Sequence, residues 1–327
     1  MNQITWGFIG CGDVTEVKSG PAFQEIDHSQ VAAVMCRDAC KARDYAARHR
    51  IPGWTTDANA LINDPEINAV YVATPPSSHC QYTVMAARAG KHIYVEKPMA
   101  VNFQECRQMI QAAREAGVGL FVAYYRRALP YFNKVKELLT EGAIGQTRLV
   151  SLRLHRPLPQ EPFPQGRLPW RFDPGISGGG LFVDLGCHQL DLLDYLFGPV
   201  NRVCGQAANQ AGLYPAEDIV SASFVFASGV VGSGTWCFTA PAYDRTDTIE
   251  ITGSRGSIRF GTFNFTPICL ETRQGVETFE YEIPPHIQEP LIRSVVDHLR
   301  KQGECPSTGI TAARTTHVMD KILKNYY

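Results

Sequence analysis

The sequence has little of what marks membrane, nucleic-acid-binding and secreted proteins. No apolar run approaches the roughly 18–20 residues needed to span a bilayer. The 31 Lys and Arg residues nearly balance the 32 Asp and Glu residues, so the formal net charge is -1. That balance argues against a protein that coats nucleic acid or an anionic membrane. The first residues lack the basic segment, apolar segment and cleavage site of a secretory signal, so we expect a cytoplasmic protein.

Cysteine is present, but its spacing indicates neither a metal site nor a disulfide framework. The 10 Cys residues include no CxxC pair. The closest two, Cys36 and Cys40, have no His pair at zinc-finger spacing nearby. Scattered cysteines in a chain without a signal peptide are typical of reduced, mostly buried thiols. We therefore expect no bound metal.

Short apolar runs alternate with helix-like segments in the first part of the chain. The apolar runs are Ile4–Ile9, Val31–Cys36, Ala69–Ala73, His92–Val95 and Gly119–Ala123. Segments with apolar residues at spacings of three and four lie between them, at Asp38–His49, His79–Ala89 and Phe103–Ala116. This alternation predicts βαβ units and a doubly wound parallel sheet, buried on both faces.

The second part of the chain is rich in β-like runs. These runs are Thr147–His155, Ile219–Phe226, Val230–Phe238, Thr248–Thr252 and Ser257–Phe260. Helices are predicted at Pro130–Glu141, Val183–Leu196, Gln288–Lys301 and Ile310–Asn325. The pattern predicts a mostly antiparallel sheet, with an ordered loop over the proline-rich stretch Pro157–Ile176. With 327 residues, 44% of them hydrophobic, the chain is long enough for two domains, which we place at 1–123 and 124–327. The last helices could pack back on the first domain.

A glycine-rich loop follows the first predicted strand directly. Gly10 allows a tight turn, and Gly12 lets the backbone approach a pyrophosphate. Asp13 and Val14 then begin a predicted helix, whose N-terminal N–H groups favour a phosphate. Thr15 stands where the third small residue of the fingerprint is usually Gly or Ala. The alternative is a glycine turn without a ligand, but the position between a strand and a helix favours a dinucleotide site.

The end of the second predicted strand bears on the choice between NAD and NADP. Cys36 occupies the position where an NAD site usually has an acidic residue for the ribose 2′-hydroxyl. Arg37 follows, and a guanidinium suits a 2′-phosphate through charge and paired hydrogen bonds. We therefore favour NADP over NAD. Two alternatives stay open: Arg37 is a solvated loop residue and Asp38 only caps the next helix, or Asp38 reaches the ribose.

Two further stretches carry a family resemblance. They are Tyr94–Pro98, which reads YVEKP, and Gly178–His188, which reads GGGLFVDLGCH. Together with the glycine loop and Ala73–His79 (ATPPSSH), they resemble the Gfo/Idh/MocA family of sugar and polyol oxidoreductases, over essentially the whole chain. The resemblance implies a Rossmann domain followed by an α+β domain with a large, open-faced sheet, with the nicotinamide at their junction.

The resemblance implies that Lys97, Asp184 and His188 line the substrate site and act in catalysis. The residue types fit that role. Lys97 follows a predicted strand, and ligands of open α/β sheets bind beyond the carboxyl ends of the strands. Asp184 and His188 are four residues apart on a predicted helix and share a face, as an acid–base pair requires. The alternatives are a surface lysine and a buried His held by an Asp for stability. The Gly178–Gly180 run allows either close approach to a ligand or a flexible lead into the helix.

Further candidates come from residues near these motifs. For the cofactor they are Thr74, Pro75, His79, Glu96 and Lys97. For His79 a structural role is the stronger expectation, and Glu96 could instead pair locally with Lys97. For the substrate they are Tyr124, Arg126, Trp170 and Arg171, with ordinary packing as the alternative.

The sequence therefore predicts an NAD(P)-dependent oxidoreductase of a sugar, polyol or related cyclic hydroxy compound. The hydroxyl proton would pass to His188, or to Lys97 and His188 together, while Lys97 stabilises the developing alkoxide. One alternative is a glycosidase that retains its dinucleotide and oxidises its substrate transiently. Another is a dinucleotide-binding regulator without catalysis. We also expect a homodimer or homotetramer formed through the C-terminal sheet.

Overall fold

The computed structural model of the protein describes residues 1–158 and 168–327. The chain forms two compact units, each made of two segments. The first unit comprises Met1–Leu129 and Ile283–Ala313, and the second comprises Pro130–Glu282 and Arg314–Tyr327. The division therefore follows Leu129 rather than residue 123, and a segment from the far end of the chain belongs to the first unit. The middle of the predicted loop Pro157–Ile176 lies outside the described residues.

The strands of the described chain form two sheets. In chain order they are β1 (Ile4–Ile9), β2 (Ser29–Met35), β3 (Gly53–Thr55), β4 (Ala69–Val72), β5 (His92–Val95), β6 (Leu120–Val122), β7 (Thr147–His155), β8 (Val200–Ala208), β9 (Ile219–Phe226), β10 (Val231–Cys237), β11 (Thr246–Gly253), β12 (Gly256–Phe260), β13 (Ile268–Thr272) and β14 (Gly275–Phe279).

The α-helices of the described chain lie between and after these strands. In chain order they are α1 (Ala22–Glu25), α2 (Ala39–Arg48), α3 (Ala58–Ile62), α4 (His79–Arg88), α5 (Phe103–Ala116), α6 (Pro130–Thr140), α7 (Pro174–Ser177), α8 (Cys187–Phe197), α9 (Glu289–Leu299) and α10 (Gly309–Leu323). No helix in the described part of the chain is long and apolar enough to cross a membrane.

The sheet of the first unit is parallel, as the sequence predicts. Over the described residues it has six strands in the order β3-β2-β1-β4-β5-β6. All of its neighbouring strands pair in parallel. β1 and β4 are buried along their whole length, because the chain covers both faces of the sheet. The doubly wound α/β fold is confirmed. β3 was not predicted, since three residues carry too little periodicity to distinguish a strand.

The sheet of the second unit is mostly antiparallel. Its eight strands, counted over 1–158 and 168–327, follow the order β14-β13-β12-β11-β7-β10-β9-β8. The pairing of β10 with β7 is parallel, and the other neighbours run antiparallel. The predicted open-faced sheet is confirmed. β8, β13 and β14 were not predicted. β8 and β14 contain no buried residue, so they lack the apolar side of a half-buried strand, and β13 is only five residues long.

The core of the first unit explains why α9 belongs to it. The rings of Trp6, Phe8, Tyr71 and Tyr94 lie 4.9–5.9 Å from the ring of Phe23, measured between centroids. The buried apolar side chains of α9 pack into the same cluster, and they are Leu291, Ile292, Val295, Val296 and Leu299. Burying this apolar face stabilises the contact although the helix comes late in the chain.

Candidate active site

The glycine loop has the shape that a dinucleotide requires. Gly10 follows β1 with a φ of +105°, a backbone conformation that favours glycine. A Cβ atom on Gly10 would lie 2.7 Å from the carbonyl oxygen of Ala73, so no other residue fits there. Gly12 is exposed, and no heavy atom lies within 4 Å of the position a Cβ would take. The backbone at Gly12 is therefore open to a pyrophosphate, and the loop fits a dinucleotide.

The segment after the loop differs from the regular helix that the sequence predicts. Val14–Lys18 forms a π-helical turn, in which the N–H of Ser19 donates to the carbonyl oxygen of Val14 over 3.2 Å. Pro21, which has no N–H, then prevents a regular continuation. Asp13 is exposed and Val14 is half-buried. Because the helical turn is so short, a phosphate at this loop would meet backbone groups near Gly12 rather than the end of a long helix.

Thr15 occupies the third position of the glycine fingerprint without disturbing it. Its side chain is fully buried, and its hydroxyl donates to the carbonyl oxygen of Gly12 over 2.8 Å. The hydroxyl of Tyr45, in α2, donates to the carbonyl oxygen of Thr15 over 2.8 Å. Thr15 therefore stabilises the loop through a side-chain hydrogen bond to Gly12, which Gly or Ala at this position could not form.

The structure after β2 shows which of two roles Asp38 has, capping the next helix or reaching a ribose. The Asp38 carboxylate accepts hydrogen bonds from the backbone N–H groups of Cys40 and Lys41, at 2.9 and 3.2 Å, and so caps α2. Arg37 is exposed. Burial and a hydrogen bond with the side chain of Cys36 raise the pKa of Cys11 to about 12, which places Cys36 beside the glycine loop. The NADP preference stays a prediction.

The predicted cofactor residues after β4 form a braced loop. His79 is fully buried, and its Nε2 lies 2.7 Å from the carbonyl oxygen of Thr74, while its Nδ1 lies 3.0 Å from that of Pro98. Burial lowers the pKa of His79, while its hydrogen bonds to these carbonyl oxygens act in the opposite direction. The hydroxyl of Ser78 donates to Oγ1 of Thr74 over 2.8 Å. Pro75 is half-buried in the same loop. His79 thus ties this loop to the turn that contains Lys97.

Lys97 lies just beyond the carboxyl end of β5, and its backbone is fixed by the preceding residue. Glu96 is 6% exposed, and its Oε2 accepts the backbone N–H of Lys97 over 3.2 Å. Its Oε1 accepts hydrogen bonds from the hydroxyl of Tyr71 and from Nε2 of Gln288, both at 2.7 Å. Glu96 therefore faces the interior of the unit. Nothing in the local sequence could identify Gln288, which comes from the start of α9.

Asp184 and His188 lie on one helical segment of the second unit. A π-helical turn, Phe182–Gly186, runs directly into α8. Asp184 is 9% exposed and His188 is 4% exposed, so both side chains are buried. That their four-residue spacing brings the two side chains to one side of the segment stays a prediction. π-helical turns inside helices occur frequently at functional sites.

Arg171, a predicted substrate residue, contacts Asp184. Its Nε lies 3.3 Å from Oδ2 of Asp184, and its guanidinium carbon lies 4.3 Å from the centre of the Trp170 ring. The Arg171 side chain is 45% exposed, so this pair adds little to stability. Its consequence is geometric, because the stacked guanidinium orients the carboxylate of Asp184.

The glycine run before this helix is explained by a contact within the unit. The N–H of Gly180 donates to both carboxylate oxygens of Glu217, at 2.8 and 2.9 Å. A Cβ atom on Gly180 would lie 2.7 Å from the carbonyl oxygen of Glu217. Glu217 is fully buried, and burial raises the pKa of its carboxyl group. The run therefore permits close approach to Glu217, a reason that neither sequence alternative included.

One neighbour of His188 could not be found from the sequence. The ring of Phe263 lies 6.0 Å from the imidazole of His188, edge to face, and the guanidinium carbon of Arg156 lies 4.6 Å from the same ring. The carboxylate of Asp247 holds this turn, because it accepts the backbone N–H groups of residues 262, 263 and 264 at 2.6–3.1 Å. Asp247 lies in β11 and residues 262–264 directly follow β12, and the two segments meet because β11 pairs with β12 in the sheet.

Tyr124 and Arg126 follow β6 in the first unit. Tyr124 is fully buried and Arg126 is 2% exposed. The guanidinium carbon of Arg126 lies 4.9 Å from the centre of the Tyr125 ring. Their contact with a substrate stays a prediction.

Comparison with protein families gives two matches that together cover most of the chain. A profile described as an oxidoreductase family with an NAD-binding Rossmann fold matches residues 4–124. A profile described as the GFO/IDH/MocA C-terminal domain matches residues 132–259. The first match includes the glycine loop and Lys97, and the second includes Asp184 and His188.

Curated relatives resemble the chain along much of its length. Oxidoreductase P35 of Formosa agariphila is 40% identical over 319 residues, which cover 98% of each chain. The 1,5-anhydro-D-fructose reductase of Ensifer adhaerens is 30% identical over 79% of this chain and 75% of its own.

Solved structures share the fold. Levoglucosan dehydrogenase in complex with NADH and levoglucosan superposes with a TM-score of 0.88 at 24% sequence identity, covering 98% of this chain and 96% of the other. At that identity the likeness concerns the fold.

Proposed function

We propose a reaction for this chain from the premise that it belongs to the GFO/IDH/MocA family of oxidoreductases, whose first domain binds NAD. The protein is thus an NAD-binding oxidoreductase that acts on hydroxyl groups. Its substrate, in our proposal, is a sugar, a polyol or a related cyclic hydroxy or keto compound. The names of its relatives, an anhydrofructose reductase and a levoglucosan dehydrogenase, support that class.

The observation that carries the proposal is the position of Lys97. It lies beyond the carboxyl end of a central parallel strand, on the same sheet edge as the open backbone of Gly12. Ligands of doubly wound sheets bind at that edge. A lysine fixed there by its own backbone suits a substrate oxygen next to a nicotinamide, since its ammonium group stabilises a developing negative charge.

The proposed chemistry uses three side chains, Lys97, Asp184 and His188, on one substrate. A bound nicotinamide supplies the hydride acceptor in oxidation and the hydride donor in reduction. In oxidation the carbinol C–H bond breaks with its electron pair leaving as hydride, and the hydroxyl proton passes to His188, directly or together with Lys97. Asp184 orients the imidazole, while Lys97 stabilises the alkoxide. In reduction the same groups return the proton to the carbonyl oxygen.

A substrate panel tests the reaction. Sugars, polyols and anhydro sugars are assayed with NAD and NADP by nicotinamide absorbance. Net formation of reduced cofactor that scales with substrate supports the proposal. Cleavage of a glycoside without net reduced cofactor would instead indicate the glycosidase, and dinucleotide binding without turnover of any substrate would indicate the regulator.

We also propose that NADP is preferred over NAD because of Arg37. The guanidinium is exposed beside Cys36, at the end of β2, where a ribose 2′-phosphate would need a cation. Arg37→Ala should cost about 1.5–3 kcal/mol of NADP binding and little of NAD binding, measured by fluorescence titration. Arg43→Ala, on the following helix, is the matched control. Equal losses for both cofactors, or a wild type that prefers NAD, would contradict the preference.

The second unit supports a proposal about assembly. β9 and β10 alternate between buried and exposed residues, so one face of the sheet is exposed among residues 1–158 and 168–327 of the single chain. Apolar side chains on these strands and on β7 are exposed, among them Val231 at 48% and Leu149 at 39%. We propose a homodimer or homotetramer formed through this sheet, to be checked by light scattering after size-exclusion chromatography.

A further inference from the structure

A chain of buried polar side chains runs behind Lys97 in the first unit. At its centre lies the carboxylate of Glu96, which accepts from the backbone of Lys97, from Tyr71 and from Gln288. Gln288 is 1% exposed, and Tyr71 and Tyr94 are fully buried. A carboxylate removed from water needs such donors, because each one lost leaves a buried charge uncompensated.

The amide of Gln288 has one possible orientation. Its Nε2 faces Oε1 of Glu96 at 2.7 Å, and a carboxylate oxygen only accepts, so this atom is the NH₂ group. Its Oε1 accepts the hydroxyl of Tyr94 over 2.9 Å. Burial and the nearby charge of Glu96 raise the pKa of Tyr94 well above its usual value, so this hydroxyl stays a donor. The amide is therefore fixed at both ends.

The same cluster reaches the segment that follows the glycine loop. The backbone N–H of Gln288 donates to the carbonyl oxygen of Lys18 over 3.1 Å. The hydroxyl of Tyr71 gives its single hydrogen to Glu96, so the hydroxyl of Ser19 donates either to that of Tyr71 over 2.9 Å or to the carbonyl oxygen of Val14 over 3.1 Å. Hydrogen bonds thus connect the turn after the dinucleotide loop to the backbone of Lys97.

We propose that Gln288 is a positioning residue for Lys97: its side-chain amide holds the buried Glu96 carboxylate against the backbone N–H of Lys97. The residue comes from the N-terminal end of α9, about 190 residues away in sequence, and touches no reacting group. Its action passes through Glu96. The proposal rests on the proposed function only for the role of Lys97 in turnover, since the geometry of the lysine can be measured without a substrate.

Removing the amide should disturb Lys97 while the fold survives. Gln288→Leu deletes the donor to Glu96 and keeps the volume. A displacement of about 1 Å in a reacting group can lower the rate about 10²-fold. We therefore expect kcat to fall about tenfold or more in Gln288→Leu, with a smaller change in the KM of the dinucleotide. Tyr94→Phe is the matched control, because it deletes a buried hydrogen bond to the same amide but leaves all three donors of Glu96. It should keep kcat within about twofold.

A pH profile separates positioning from general destabilisation. In Gln288→Glu two carboxyl groups face each other, so one keeps its proton to a higher pH than an isolated glutamate would. The protonated form donates to Glu96 as the amide did. Activity relative to Gln288→Leu should therefore rise as the pH falls. If Gln288 served stability alone, the melting temperature of this variant would change with pH but the ratio of the two kcat values would not.

Amine labelling of Lys97 provides a readout that does not depend on turnover. Reductive methylation of the full-length protein, followed by peptide mass spectrometry, gives the modification rate of Lys97 as a function of pH. We expect a change of severalfold in Gln288→Leu and none in Tyr94→Phe. Unchanged kcat and unchanged labelling in a folded Gln288→Leu protein would overturn the proposal. A labelling change in a protein that turns over no substrate would support the positioning role and reject the proposed reaction.

Discussion

The two units hold their predicted reacting groups in different ways. In the first, Lys97 follows a strand, and its backbone is fixed by a buried carboxylate that three donors satisfy. In the second, Asp184 and His188 lie on a helical segment, and the outer contact of Asp184 is the half-exposed Arg171. Burial makes the first arrangement costly to disturb, whereas in the second the ion pair of Asp184 with the partly exposed Arg171 contributes little to stability. The difference shows that a residue beyond a strand end is held by side chains distant in sequence, while helical spacing already brings the members of a pair close together.

The largest effect is expected when a reacting group is removed from either unit. Lys97→Met deletes the ammonium group, and His188→Asn deletes the titrating nitrogen, so each should lower kcat by about 10²-fold or more. Dinucleotide affinity should stay nearly unchanged, because neither side chain is proposed to hold the phosphates. Steady-state kinetics and titration of the dinucleotide measure the two quantities, and Lys324→Met, an exposed lysine, is the control.

The double variant shows whether the two units serve one reaction. If Lys97 and His188 act on the same substrate, the combined loss in kcat should be less than the product of the single losses. A combined loss equal to the product of the two single losses would indicate independent roles. Near wild-type turnover of both single variants would reject the assignment of Lys97 and His188 to catalysis.

A smaller but sharper effect is expected within the glycine loop of the first unit. Gly10→Ala meets both a φ of +105° and the carbonyl of Ala73, so it should lower the free energy of unfolding by about 1–3 kcal/mol. Gly12→Val meets open space, so the fold should survive while the branched side chain blocks a pyrophosphate. Thermal unfolding and dinucleotide titration separate the two variants. A Gly12→Val protein that binds dinucleotide normally would place the cofactor elsewhere.

The smallest effect concerns an exposed ion pair of the first unit, in contrast with its buried Glu96. Hydrogen bonds from Arg48 at 2.7 and 2.8 Å lower the pKa of Glu16 from 4.5 to about 2. A carboxyl group with a lowered pKa in the folded state stabilises the protein above its unfolded pKa, and that stability is lost as the pH falls from 4.5 to about 2. Glu16→Gln should therefore slightly flatten the acid limb of melting temperature against pH. Parallel curves for variant and wild type would exclude a contribution from this pair.

Much of the site could be predicted because its residues follow local rules. Gly10 ends a strand where only a turn with positive φ fits, Lys97 follows a buried parallel strand, and Asp184 and His188 share a helical spacing. Each of these features depends on a few neighbouring residues. The family resemblance named Lys97, Asp184 and His188 as candidates, and the rules of strand ends and helical faces agreed with it before the surroundings of these residues were known.

The supporting residues could not be predicted in the same way. Gln288 reaches Glu96 from the other end of the chain, and Asp247 fixes the turn that brings Phe263 against His188. A buried Gln or Asp has no periodicity that distinguishes it from a surface residue. Its role depends on which buried polar atom it satisfies, and only the packed chain determines that.

The sequence by itself determined the α/β architecture, the family and the positions of the dinucleotide loop and the predicted reacting groups. Only the tertiary structure decided that α9 completes the core of the first unit, that the glycine run packs on Glu217, and that Glu96 faces inward to hold Lys97. The physical reason is the range of the forces involved. Turns, helical faces and strand alternation arise from neighbours within a few residues, whereas burial and the pairing of buried charges depend on segments that meet only when the chain has folded.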